Sequence, residues 1–87
     1  MDSDILFKKI GYEKKEAKNH DGSIVAIIYE KKIYKKNINK FFNKVIMFSI
    51  IDEFVTLKNI QILSLEEMIA ISKKVQELNW EEIWKTK

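Results

Sequence analysis

The stretch that decides the fold is KVIMFSII, residues 44–51, in which polar atoms are almost absent. A strand with one wet face alternates apolar and polar side chains. Here Val45, Met47 and Ile51 would point one way, and Ile46, Phe48 and Ile50 the other. Both faces therefore ask for cover, in a chain of only 87 residues. SIVAIIYEK, residues 23–31, repeats the problem, with Val25, Ile27 and Tyr29 opposing Ile24, Ala26 and Ile28.

Working outward, LSLEEM at 63–68 carries a capping box, with Ser64 at Ncap and Glu67 at N3, and a Leu63–Met68 hydrophobic staple. The spacing predicts a helix from Leu65, with Leu65, Met68, Ile69, Ile71, Val75 and Leu78 filling half the wheel. Glu66, Ala70, Lys73, Lys74 and Glu77 fill the other half, and Asn79 is a candidate terminator. WEEIWK, 80–85, then reads as a last turn or a separate short helix. At the other end, Ser3 or Asp2 caps a short helix over 4–10, and Gly11 ends it with Tyr12 folding back on Phe7. YEKKEAK, 12–18, is an exposed edge strand or a loop, and Asp21-Gly22 suits a two-residue hairpin turn. Residues 32–43 lack a clean period and read as a long loop or an irregular strand. Asp52-Glu53 is a poor two-residue turn, so one bent strand over 44–58 competes with two strands.

The expectation is a single α+β domain over 1–87: a short N-terminal helix, a three- to four-stranded antiparallel meander, and a long amphipathic C-terminal helix packed on one sheet face. That helix accounts for one apolar face of KVIMFSII. The short first helix is too small to finish the second, so Ile46, Phe48 and Ile50, with Trp84, are expected to form a protein interface. A second copy of the chain or a target would cover it.

Composition narrows the chemistry. With no cysteine, disulfides and thiolate metal sites are excluded. All sixteen basic residues are lysine, so bidentate guanidinium recognition of phosphate, carboxylate or guanine is absent. No apolar run approaches the ~20 residues needed to span a bilayer. Acids at Asp2 and Asp4 stand where a signal peptide carries bases, so no membrane association and a cytoplasmic location are expected. His20, the sole histidine, falls in a turn with no nucleophile beside it. The adjacent acids Asp52-Glu53, Glu66-Glu67 and Glu81-Glu82 diverge on either a strand or a helix, and there is no glycine-rich phosphate loop. No catalytic constellation, metal site or cofactor site is expected.

The charge is concentrated. Residues 31–44 carry Lys31, Lys32, Lys35, Lys36, Lys40 and Lys44 with no acid, a local +6 in a chain whose net charge is +3. Tyr34, Phe41 and Phe42 are interleaved with them. Lysines with aromatic neighbours suit a surface for single-stranded nucleic acid or a charged partner; the plainer reading is a solvated loop with docked aromatics.

LFKKIGYEK, IIYEKK and LSLEEMIAISKKVQELNW together resemble small phage and prophage proteins of low-GC bacteria, with Met68, Ile71, Lys74, Glu77, Leu78 and Trp80 carrying the likeness. The resemblance implies a mobile-element origin. It also implies a place among inhibitors of host defence, anti-CRISPR proteins included, whose partner is a bacterial host protein such as a nucleic-acid-bound defence complex. Many such inhibitors are acidic mimics of DNA, a mechanism that a net basic chain does not fit. The expected activity is thus non-enzymatic protein binding; the alternative is a nucleic-acid-binding accessory protein using residues 31–44.

Overall fold

Short local signals set both ends of each helix. The structure, a computed structural model, describes residues 2–80 in the order α1 (Ser3–Lys9), β1 (Glu13–Lys18), β2 (Ile24–Lys35), β3 (Lys40–Ser49), β4 (Phe54–Lys58) and α2 (Leu65–Glu77). Asp2 caps α1 by accepting the Ile5 N–H at 3.0 Å. The capping box of α2 is complete: Glu67 N–H donates to Ser64 Oγ at 3.1 Å, and Ser64 N–H donates to Glu67 Oε1 at 2.8 Å. Both helices end in the same left-handed motif. Gly11 (φ +95°) and Asn79 (φ +65°) occupy C′. The following N–H groups, of Tyr12 and Trp80, reach back to the Phe7 and Val75 carbonyls at 3.0 and 3.1 Å. That reversal turns both aromatic rings inward, where they are buried.

The four strands form an antiparallel meander in spatial order β1-β2-β3-β4. Three hairpin turns differ from what the sequence suggests. The first loop spans residues 19–23, closed by the Asn19 N–H donating to the Ser23 carbonyl at 3.0 Å, with Gly22 at φ +86°. Asn19 Oδ1 accepts the Asp21 and Ser23 N–H groups at 3.2 Å, which leaves the positive φ to Gly22 alone. Residues 32–43 are not a loop: β2 and β3 continue as a regular ladder to the Lys35–Lys40 pair, closed by a turn over 36–39 with Asn39 at φ 53°. Residues 44–58 are two strands, not one bent strand, because the chain turns at 50–53 with Glu53 at φ 57°.

The register resolves the two-faced strand. Ile27 pairs with Phe48, and Tyr29 with Ile46, so these four share a face. Phe7, Tyr12, Ala70 and Trp80 pack onto the same face, making one core with both helices on one side of the sheet. Phe7 stacks on Tyr29 with centroids 3.9 Å apart, and Phe48 meets Trp80 at 6.2 Å. Ile46 and Phe48 are 0 % exposed. They are core, not the interface expected of them, and Ile50 is partly buried against that core. The short helix joins the long one instead of crossing to the far side. Among the described residues no element covers the opposite face, which carries the paired Ile28–Met47 and Glu30–Val45.

Helix α2 uses part of the expected wheel, with Ile71, Val75 and Leu78 packed against the core, but is rotated from the rest. Glu67, Ala70 and Lys74 are its buried residues, while Leu65, Met68 and Ile69 are exposed. The cause is α1, which lies alongside and needs a small residue at the crossing and polar partners at the ends. Ser3 N–H and Oγ donate to Glu77 at 2.7 and 2.6 Å, and Tyr29 hydroxyl donates to Asp4 at 2.6 Å. Lys74 lies 3.5 Å from Asp4 and 3.8 Å from Glu77, so its buried ammonium is paired.

Candidate nucleic-acid or partner interface

The distal half of the β2–β3 hairpin gathers the basic segment onto one element. Alternation sorts its side chains: Lys32, Tyr34 and Phe41 lie on the open sheet face, and Lys31, Lys35, Lys40, Phe42 and Lys44 on the helix-bearing face. Tyr34 and Phe41 are a cross-strand pair with ring centroids 4.9 Å apart, exposed by 47 % and 62 %. They do not dock into the core. The Tyr34 hydroxyl donates to Asn39 of the turn, which orients the ring. Lys32 Nζ sits 5.0 Å from the Phe41 centroid, and Lys35 Nζ 5.2 Å from that of Phe42. Lys36 lies in the exposed turn.

Charge on the helix-bearing face is unbalanced. Lys31 is directly opposite Lys44, and Lys35 directly opposite Lys40. Like charges facing each other across a ladder weaken it by roughly 0.2–1 kcal/mol per pair. One of the four has an acidic neighbour among the described residues: Lys44 Nζ lies 3.8 Å from Glu67 Oε2. Between this face and the loop after β4 opens a hollow of about 530 Å³, whose lining includes Lys35, Phe42, Lys44, Asn59, Gln61 and Ile62. The arm thus offers stacking rings on one side and opposed lysine positions beside a concave surface on the other.

Glu67 anchors the base of this surface. Burial alone would raise its carboxyl, but the Ser64 N–H, the Tyr12 hydroxyl and Lys44 together hold it below the usual carboxylate range. Burial, then the bond to Glu67, pushes the Tyr12 hydroxyl up, so Tyr12 stays a donor.

His20 is exposed in its turn, and no three His, Cys, Asp or Glu side chains gather as a metal site among the described residues. No described helix is long and apolar enough to cross a membrane. Trp84 lies outside the described residues. Sequence reasoning missed the polar ties among Ser3, Asp4, Tyr29, Lys74 and Glu77, whose spacing carries no signal. It also missed the Lys–Lys pairs, which become visible only once residues 32–43 are known to be a ladder. Compared with family models, curated proteins and solved structures, the chain has no match.

Proposed function

We propose that this chain is a non-catalytic binding module that uses its lysine-rich hairpin arm to engage a polyanionic partner. The observation that carries this reading is the register that sets Lys31 opposite Lys44 and Lys35 opposite Lys40 on one face of the arm. A fold gains nothing from opposing like charges, whereas an anion lying between them relieves the repulsion and is held by it. In the phage or prophage setting that the sequence resembles, the partner is a bacterial host protein. A defence nuclease of the CRISPR type supplies both a protein surface and bound nucleic acid, and inhibition of it is the biological outcome of the proposal.

Lys35→Glu separates binding from folding. It converts a like-charge pair into an opposite-charge pair, so the urea midpoint is expected to hold or rise by up to ~1 kcal/mol of stability. In cells carrying an active nuclease of this kind, the wild-type chain is expected to restore phage plating and Lys35→Glu to fail. Equal plating with and without the wild-type chain rejects the inhibitor reading.

The exposed Tyr34–Phe41 pair favours a second reading, direct binding of single-stranded nucleic acid by stacking and phosphate contact. Fluorescence anisotropy with a labelled oligonucleotide then shows log affinity falling against log salt with a slope near −4, at ~0.7 per phosphate for six lysines. No binding at low salt rejects it.

A further inference from the structure

The two edges of the sheet are built differently. The β1 edge presents Glu13, Lys14, Lys15, Glu16 and Lys18, a charged rim of the kind that deters pairing. The β4 edge, FVTLK, has one charge in five residues, and among the described residues no strand pairs with its outer side. Phe54 and Leu57 are each at least 40 % exposed there.

A second observation falls on the same side. Helix α2 turns Ala70, Lys74 and Glu77 toward α1, through burial of the first two and through the Ser3 and Asp4 contacts. At 100° per residue, Leu65 and Met68 then lie on the flank turned away from α1, toward the β4 side. Leu65 is 67 % exposed, and Ile62 in the preceding loop 85 %. An unpaired apolar edge and an apolar helix flank thus coincide.

We propose that this side is an isologous dimer interface, in which β4 pairs antiparallel with β4 of a second copy about a two-fold axis at Thr56. The sequence of β4 argues for a copy of itself. A register centred on Thr56 pairs all five residues and sets Val55 against Leu57, Phe54 against Lys58, and Thr56 against Thr56. The apolar pair falls on the helix-bearing face, the aromatic meets the lone cation on the other, and no like charges oppose. Because opposed residues keep the same face, the two helix layers lie on one side of a continuous eight-stranded sheet. Each Leu65–Met68 flank then faces its counterpart across the axis. This proposal concerns a surface other than the arm and stands whether or not the arm binds a polyanion.

The test uses the full chain. Sedimentation over a concentration series is expected to approach twice 10.4 kDa, the mass of one chain. The chain is free of cysteine, so in Thr56→Cys the introduced thiols have only each other to pair with. Antiparallel Cα separations of ~4.5–5.5 Å lie within disulfide reach, so mild oxidation is expected to give a covalent dimer, reversed by reductant. Thr56→Lys places two ammonium groups on the axis at an exposed position, and is expected to sediment as a monomer with an unchanged circular dichroism spectrum. A wild-type monomer at all concentrations overturns the proposal. So does a dimer that survives Thr56→Lys while Thr56→Cys fails to cross-link.

Discussion

Glu67 closes the capping box of α2, accepts the Tyr12 hydroxyl and faces Lys44, so one carboxylate ties helix, first turn and arm together. Asp4 plays the matching part at the other end of the helix pair. Burial would raise its carboxyl, yet the Tyr29 hydroxyl, Lys14 and Lys74 hold it low. Both groups ionise more readily folded than unfolded, where their ordinary values are 3.8 and 4.5. Between the folded and the ordinary value the unfolded chain binds more protons, so acid favours unfolding. The urea midpoint is therefore expected to be level above about pH 5 and to fall as pH drops through the carboxylate range. Glu67→Gln should start lower and lose part of that slope; an unchanged slope would place the acid sensitivity elsewhere. Of this site, the Ser64–Glu67 box was legible because it is written within four residues. The links to Tyr12 and Lys44 were not, because residues so distant in sequence meet only through the fold.

At the scale of the element, β3 has two ends with different environments. Phe48 is fully buried between Phe7, Tyr29 and Trp80, whereas Phe41 is exposed on the arm. Phe48→Ala is expected to cost ~3–5 kcal/mol, and Phe41→Ala, which loses its cross-strand pair with Tyr34, about 1 kcal/mol or less, in urea unfolding. The difference measures where the core stops along a single strand. Elements of type and order were readable from KVIMFSII, the DG turn and the capping box. What misled was helix orientation: a hydrophobic wheel weighs Lys74 as polar and Ala70 as neutral, yet Lys74 is buried beside Asp4 and Ala70 in the core. Apolar periodicity reports how much of a helix is greasy, and a neighbouring helix decides which part is used.

Across the whole molecule, the question raised by the two-faced strands is answered by layering. Both helices share one face, and the other holds Ile28, Val45 and Met47 half-buried among Lys15, Glu30, Thr56 and Lys58. The α+β arrangement was legible because a meander flanked by two helices has few packings. The side chosen by α1 was not, because it depends on Ser3, Asp4 and Phe7 finding Glu77, Lys74 and Tyr29, none of which advertises a partner. The same layering leaves the sheet asymmetric, with a charged rim at β1 and an apolar one at β4.

The Ser3–Glu77 bond spans 74 positions. The bond joins the first helix to the last described one, so Ser3 has no partner until α2 has formed. Without α2, Ile46 and Phe48 keep only the cover of Phe7 and Tyr12 and lose that of Ala70 and Trp80. A chain released after residue 63 is accordingly expected to show no cooperative urea transition and rapid proteolysis, although it holds every strand. A cooperative transition in that fragment would mean that the sheet is self-sufficient. For this fold, the sheet is expected to become a folded core only when α2 completes it.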